Sequence, residues 1–435
     1  MDAEGLARAV VAKLRGAGHQ AWLVGGCVRD LLLGVRPKDW DVSTDARPDR
    51  IMDLFPNSGR VGAHFGVVLV RDAFSQVEVA TFRSDHDYSD GRRPDSVHFE
   101  SDPREDVLRR DFTINGLMMD PQDGKVLDYV GGRGDLERRI VRAIGEADLR
   151  FREDHLRLLR AIRFAARLGF EIDAATFDAI RRHHGLIRTV SAERVREELV
   201  RILTEGGARR GFELLDATGL LDDLLPEIAA MKGVEQPPQY HPEGDVWTHT
   251  LLLLEQLDHP TATLALGALL HDVGKPPTFR VADRIRFDGH VEEGVHLARN
   301  ILTRLRFSRD EMAQVEALVA NHMKFKDVGR MRDSTLKRFL RLPDFYEHLE
   351  LHRLDVLSSN RNLESYELVR AKLAEFSEEH LRPPRLLTGE DLIAEGYEPG
   401  PQFSQILSAV EDAQLEGAIV TREEALDLVR TRFEK

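Results

Sequence analysis

Residues 21–45 read Ala-Trp-Leu-Val-Gly-Gly-Cys-Val-Arg-Asp-Leu-Leu-Leu-Gly-Val-Arg-Pro-Lys-Asp-Trp-Asp-Val-Ser-Thr-Asp. A short apolar run, Trp22 to Val24, stops at Gly25-Gly26. An apolar stretch from Val28 can wind into a helix, and Gly34 to Pro37 break it before a second strand. The order is strand, glycine turn, helix, strand. Glycines at such a turn let backbone N–H groups approach a phosphate, and the N-terminus of the following helix adds a favourable dipole. On the second strand Asp39 and Asp41 are two apart, so their carboxylates leave the same face, where like charges repel unless a cation sits between them. Mg²⁺ is commonly held by one or two carboxylates together with substrate phosphates. Alone, a Gly-Gly turn is only a turn and an Asp-x-Asp pair only a solvated strand edge. Their conjunction predicts a Mg²⁺ site beside a phosphate-binding turn.

Working outward, residues 48–55 read as a short helix opened by Pro48 and closed before Pro56. Gly66 to Arg71 and Gln76 to Phe82 alternate in hydrophobicity across a polar turn, the pattern of a β-hairpin. On its second strand Glu78 is flanked by valines; burial there is costly unless the acid is paired or metal-bound, so Glu78 is either a third carboxylate of the site or the partner of an arginine. Tyr88 to Pro94 carries turn residues without periodicity and reads as a loop. Arg109-Arg110-Asp111-Phe112-Thr113-Ile114-Asn115 places cation and acid together beside an apolar turn, an arrangement able to hold a ribose and test its 2′-hydroxyl. From Phe151 the pattern is helical, and Glu153, Asp154 and Arg157 fall three and four apart, on neighbouring parts of one helix face.

Gln236-Pro237-Pro238 marks a boundary. Beyond it His249 lies in a helical segment, His271-Asp272 ends another just before Gly274-Lys275-Pro276, and His290, His322 and Asp355 follow. Scattered histidines are usually core or surface residues, but an adjacent His-Asp pair before Gly-Lys-Pro is uncommon by chance. Imidazole with carboxylate suits Mn²⁺, Ni²⁺, Fe²⁺ or Zn²⁺.

A chain of 435 residues with 42% hydrophobic content has room for roughly two to four domains. No stretch is apolar for eighteen residues, and Met1 to Gly18 reads as a charged amphipathic helix, so neither a membrane span nor a secretory signal is expected. Cys27, the only cysteine, excludes an intrachain disulfide and fits a reducing cytosol. The net charge of −14 argues at first sight against nucleic acid. Between Arg133 and Arg167, however, ten arginines face six acids, a basic surface suited to weak, quickly released RNA. Nothing in the sequence sets an oligomeric state.

The stretch at 21–45 resembles the signature of the nucleotidyltransferase superfamily, specifically the class II tRNA nucleotidyltransferase and bacterial poly(A) polymerase family, and the resemblance covers nearly the whole chain. Residues 109–117 resemble that family's second motif. Asp128 to Gly132 with Asp135-Leu136 resembles the third, a hinge between head and neck, and Ser191 to Glu198 the fifth. Tyr88 to Pro94 matches a flexible loop of the catalytic cycle. Glu153-Asp154-His155-Leu156-Arg157 matches the motif in which side chains read the incoming base without a template. The histidine and aspartate set resembles the HD phosphohydrolase superfamily.

The resemblance implies an α+β multidomain chain: a nucleotidyltransferase head of mixed sheet and helices at 1–140, a helical neck at 141–232, an HD domain at 240–360 and a helical tail at 361–435. It implies catalytic Asp39, Asp41 and Glu78, and nucleotide-binding Gly25, Gly26, Arg29, Arg110, Asp111, Asn115, Glu153, Asp154, Arg157 and Arg160. At the HD site it implies the ligands His249, His271, Asp272 and Asp355, with His290 and His322 for a second metal and Lys275 near a phosphate. The implied cofactors are Mg²⁺ at the head and a divalent transition metal or Mg²⁺ at the HD site. The implied activity is template-independent addition or repair of the 3′-terminal CCA of tRNA from CTP and ATP in the cytoplasm, with phosphohydrolysis of RNA ends. An A-adding enzyme or poly(A) polymerase is the alternative, disfavoured because Val61 to Gly66 lacks the arginine-rich run of the bacterial poly(A) polymerases. A metal phosphohydrolase with an RNA-binding head is the alternative from another class.

Overall fold

Valines alternate with polar residues along the hairpin at 66–82, and that alternation divides the two faces of a seven-stranded mixed sheet. The computed structural model describes residues 1–60, 66–86, 91, 96–239 and 241–434, and it divides into two units, Met1–Ala229 and Ala230–Lys435. In the first unit the strands are β1 (Ala21–Val24), β2 (Asp41–Thr44), β3 (Ser58–Arg60), β4 (Val67–Arg71), β5 (Gln76–Thr81), β6 (Arg83–His86), β7 (Ser96–Phe99), β8 (Leu117–Met119) and β9 (Val126–Asp128). The sheet runs β3-β4-β5-β2-β1-β8-β9, with β2 and β5 parallel; β6 and β7 pair separately as a hairpin. Val42, Val68, Val70, Val77 and Val79 turn to one face and pack with Leu6, Val10, Val11 and Leu14 of the helix Ala3–Gly16. Leu69, Arg71, Gln76, Glu78 and Asp41 are left for the other face.

Two local expectations shift. The helix after the glycine turn begins at Gly26, not Val28, and ends at Leu32. β2 begins at Asp41, and Asp39 lies in the bend before it. The partner strand explains this: β1 turns away at Gly25, whose φ is +77°, so no ladder continues opposite Trp40 and Asp39. The sequence readings at Val61 to Phe65 and, except for Gly91, across Tyr88 to Pro94 fall outside the described residues.

Residues 147–229 are helical, with one short parallel strand pair, Ile140–Val141 against Glu171–Ile172, at their start. The acid and arginine of the base-reading motif do not share a helix. One helix, Ala147–Glu153, ends at Glu153; Asp154 is extended; the next helix begins at Arg157 and runs to Leu168. The 3.6-residue pattern continues through 151–168 because both helices bury an apolar face, so periodicity alone does not reveal the break.

The second unit is helical, with the ligand residues on or beside the helices Val246–Glu255, Ala262–Leu270, His290–Arg304, Arg309–Asn321 and Phe345–Leu357. Leu264 to Leu270 are buried without exception, as befits a helix enclosed on all sides. Phe325, Phe339, Phe345 and Val369 share one core, so packing runs past the expected boundary at residue 360 through the helix Glu364–Glu375. A separate core of Leu392, Ile406, Val410 and Val429 gathers the last helices. Thr388 opens them with a capping box to Asp391.

Candidate active site and metal centre

At the head, Gly25 is required by space as well as by φ. A Cβ there would meet Arg110 Nη1 at 3.1 Å and Asp41 Oδ2 at 4.0 Å, closing the approach between turn and carboxylate. Asp41 at the start of β2 stands in register with Glu78 of the parallel β5, so both side chains leave the same face. Burial, then the charges of Glu78 and Asp39, push the Asp41 carboxyl up to about 6 against the single opposing pull of Arg110. Three carboxylates with one guanidinium are a donor set short of positive charge, and this fits a hard divalent cation. Glu78 itself is exposed, so burial between valines is not its cost, and among the described residues no cation pairs with it. Of the two readings of Glu78, membership of the carboxylate group is the one this geometry matches.

Asp39, Asp41, Gly25 and Gly26 open into a cavity of about 270 Å³ whose far wall is a chain of charged groups. Arg29, 3% exposed, donates from Nη1 to Asn115 Oδ1 at 2.7 Å; Asn115 Nδ2 donates to Asp111 Oδ1 at 3.1 Å; Arg160 donates to Asp111 Oδ2 from Nε at 2.9 Å and from Nη2 at 2.5 Å. Burial alone would raise Asp111, but the charge and hydrogen bonds of Arg160 hold its carboxyl well below the usual range. The adjacent Arg110 and Asp111 do not pair with each other. Arg110 Nη2 donates to Asp106 Oδ2 at 3.0 Å, sharing that fully buried acid with Arg109. Asp106 is the residue that sequence reasoning missed here. Its signal was the four-residue spacing to Arg110, which follows the C-cap Arg109 of the helix Pro103–Leu108.

Arg157 is buried and donates to Glu153 Oε2 at 2.7 Å, to the Arg150 carbonyl at 3.2 Å and to the Arg109 carbonyl at 2.8 Å. Asp154 accepts from Arg194 at 2.9 Å and from the Leu156 N–H at 3.1 Å. None of Glu153, Asp154 and Arg157 lines the Asp41 cavity, whereas Arg160, Arg163 and Arg167 do. The three- and four-residue repeat of these arginines is legible in the sequence, where Arg160 is an expected nucleotide contact while Arg163 and Arg167 read only as part of a basic surface. Arg29, Arg160 and Arg163 converge on the Phe164 ring at 5.1, 5.3 and 4.3 Å.

In the second unit all six expected ligands come together. His249 Nε2 lies 3.3 Å from His271 Nε2 and 3.1 Å from Asp355 Oδ1; His271 Nε2 lies 3.2 Å from Asp272 Oδ2; His322 Nε2 lies 3.8 Å from Asp272 Oδ1. The donor atoms of His249, His271 and Asp355 sit within 4.8 Å of one another, as do those of Asp272, His290 and His322. Nδ1 of His271, His290 and His322 faces the carbonyls of Ala268, Phe287 and Val319 at 2.9, 2.9 and 2.7 Å. A carbonyl only accepts, so Nδ1 carries the hydrogen and the Nε2 lone pairs point inward. Nε2 of His290 and of His322 are buried without a partner among the described residues, orphaned atoms that a metal would satisfy. Lys275 is tied inside, its Nζ 2.6 Å from Asp272 Oδ2 and 2.6 Å from Gln236 Oε1, and it also lines a cavity of about 680 Å³ over the cluster. Sequence reasoning missed Glu243, which takes His249 Nδ1 at 2.7 Å and His241 Nδ1 at 2.9 Å and so orients a ligand from behind. His-x-Glu six residues ahead of His249 was its only trace.

Residues 21–142 match the poly A polymerase head domain, 169–232 the probable RNA and SrmB-binding site of polymerase A, and 244–349 the HD domain. CCA-adding enzymes of Lactobacillus delbrueckii subsp. bulgaricus and Geobacillus stearothermophilus are each 43% identical, over 223 and 220 residues. These matches cover 51% of this chain and 56% and 54% of those enzymes, so the chain spans about half the length of the curated relatives it matches. The structure of the Bacillus stearothermophilus CCA-adding enzyme in complex with CTP is similar with a TM-score of 0.76 at 27% identity, covering 98% of this chain and 97% of that one. The Thermotoga maritima CCA-adding enzyme complexed with tRNA shares the fold, with a TM-score of 0.62 at 20% identity, over 99% of this chain and 95% of that one. Among the described residues no helix is long and apolar enough to cross a membrane. The chain thus carries a poly A polymerase head domain, a polymerase A RNA-binding segment and an HD domain in this order, and over half its length it is similar to CCA-adding enzymes.

Proposed function

We propose that this chain is a template-independent nucleotidyltransferase of the cytosol that builds or repairs the 3′-terminal CCA of tRNA from CTP and ATP. The observation that carries the reading is the registered pair Asp41 and Glu78 with Asp39 beside them, opening through the Gly25 turn into a cavity walled by arginines. The similarity to an enzyme solved with CTP supports the same substrate class.

In this reading the head is 1–140 and the neck 141–232. The Gly25-Gly26 backbone and Arg110 receive the triphosphate, and the wall of Arg29, Asn115, Asp111 and Arg160 holds the sugar. Asp39 and Asp41 would hold Mg²⁺, which when bound lowers the barrier to attack and to pyrophosphate departure. Cytosine and adenine each offer an amino donor beside a ring-nitrogen acceptor, a pattern that uracil and guanine reverse. A carboxylate and a guanidinium match that pattern, so Asp154 and Arg157 select C and A, with Glu153 keeping Arg157 in place. Asp154 then exchanges its bond to Arg194 for one to the base.

The HD cluster would hold a divalent transition metal or Mg²⁺ on His249, His271, Asp272 and Asp355, with His290 and His322 for a second ion. It hydrolyses a phosphoester on RNA ends, a 2′,3′-cyclic phosphate or phosphomonoester, which clears the hydroxyl that the head extends. The deciding experiment incubates the purified chain with tRNA lacking CCA and with CTP, ATP or both, then sequences the 3′ ends. Addition of C, C and A supports the reading. An untemplated A tail, or A added only to a tRNA already ending in CC, would replace it with the poly(A) polymerase or A-adding alternative.

A further inference from the structure

The head carboxylates border a second cavity, of about 470 Å³, that the nucleotide reading does not use. Asp39, Asp41 and Lys38 line both cavities. Sheet order separates them. From Asp41 on β2, the turn after β1 leads to the triphosphate cavity, while β5 and β4 on the other side carry Glu78, Gln76 and Arg71 into the second. The turn between β4 and β5 presents Phe74 at its mouth, 88% exposed. That turn is braced: the Asp72 N–H donates to the Ser75 carbonyl at 2.8 Å, and Ser75 Oγ donates to the Met1 carbonyl at 3.0 Å. Asp72 also lines the cavity, with its carboxylate engaged by the Ala73 N–H at 2.7 Å. Lys38 and Arg71 are exposed and have no carboxylate partner among the described residues. A large aromatic held out in water beside two unpaired cations has the chemistry of a single-stranded nucleic-acid contact: a ring face for a base and charge for a phosphate.

We propose that this second cavity is the acceptor site, holding the 3′-terminal nucleotide of the RNA with its base on Phe74 and its phosphate at Lys38 and Arg71. The inference rests on the reading of the head as a nucleotidyltransferase. Phosphoryl transfer runs in line, so the attacking oxygen enters opposite the departing pyrophosphate. With the triphosphate over Gly25, that entry is from the Glu78 side. There the 3′-oxygen bonds to the α-phosphorus, the bond from that phosphorus to the pyrophosphate oxygen breaks, and the hydroxyl proton passes to the Glu78 carboxylate.

The test uses the full chain and a CCA-less tRNA whose 3′-terminal base is 2-aminopurine, a fluorophore quenched by stacking. Quenching is expected with the native chain, lost in Phe74→Ala and restored in Phe74→Trp. In steady state Phe74→Ala and Arg71→Ala should each raise KM for tRNA by about tenfold, the scale of one lost stacking or phosphate contact, with KM for CTP within about twofold of native. Unchanged quenching in Phe74→Ala overturns the proposal, as does an increase in KM for CTP equal to that for tRNA. Because both side chains are exposed, loss of fold does not mimic either result. If the native chain extends no RNA at all, the parent reading fails instead, and the quenching measurement still decides whether the cavity binds an RNA end.

Discussion

The head and the HD centre both gather acids, yet they are built in opposite ways. Asp39 and Glu78 of the head are exposed, Asp41 is half-buried, and at Asp41 the charges of the other two are opposed by Arg110. In the HD centre His249, His271, Asp272 and His322 are at most 4% exposed, and their protons are already assigned by backbone carbonyls and Glu243. An exposed acid cluster stays hydrated and can wait for a cation that arrives with a triphosphate. A buried set of imidazole lone pairs is a standing cost unless an ion occupies it. The comparison teaches that the head site is suited to completion by an arriving substrate, and the HD site to a resident metal.

The sharpest way to break this comparison is Asp41→Ala. Loss of one carboxylate should lower nucleotide addition by about a thousandfold or more while HD hydrolysis and thermal unfolding stay close to native. A rate near native would remove Asp41 from the chemistry. Next in size, His271→Ala with Asp272→Ala should lower phosphoester hydrolysis by about a hundredfold and strip the metal from the purified chain, read by elemental analysis, with CCA addition unchanged. Metal content equal to native in that double variant would contradict a resident ion on these ligands.

Arg157→Ala sharpens the head side. Wrong bases would no longer leave a buried donor unpaired, so discrimination against UTP and GTP should fall by about 1–3 kcal/mol. The same arginine ties Glu153 to the carbonyls of Arg150 and Arg109, so thermal stability should drop as well. Preference for CTP and ATP unchanged in both Arg157→Ala and Asp154→Ala, measured over all four nucleotides, would leave these residues a structural role only.

The smallest effect concerns pH. His348, 2% exposed with both ring nitrogens unpaired among the described residues, is pushed by burial down from 6.5 to about 4. The folded state therefore keeps it neutral while the unfolded chain takes up a proton below about pH 6.5. Its contribution to stability is full above that value and is lost as pH falls toward about 4, on the order of 1–2 kcal/mol by pH 5. Denaturation of the chain between pH 7 and pH 5 should show at least that slope in the second unit, where burial lowers His352 alike, and His348→Phe should lessen it by the share of His348. An equal slope in the variant would assign the titration to other groups.

Spacing was enough to find the parts that act locally. Gly25-Gly26 followed by Asp39 and Asp41 is one short stretch of chain, and the turn, Asp41 and the paired hairpin strands lie where their residue pattern puts them, with Asp39 in the bend before β2. The six expected HD residues, which the fold brings together, were legible because His-Asp before Gly-Lys-Pro is rare and the others lie on separate segments. Misreadings share one cause. Glu153 and Arg157 do pair at their four-residue spacing, but Arg110 beside Asp111 and Asp154 near Arg157 do not, because which acid a guanidinium meets depends on residues brought close by packing.

What the sequence by itself determined is therefore the chemistry available: a glycine turn with acids, an arginine-rich helical segment, a histidine and aspartate set, and the alternation that sends valines to the core. Only the tertiary structure decided the partners. Asp111 takes Arg160 across 49 residues, Asp154 takes Arg194 across 40, and Glu78 comes level with Asp41 through a parallel pairing. The physical reason is range. Strand and helix periods act over a few residues, whereas the desolvation that forces a buried charge to find its opposite acts on whatever side chains the fold brings within a few ångströms.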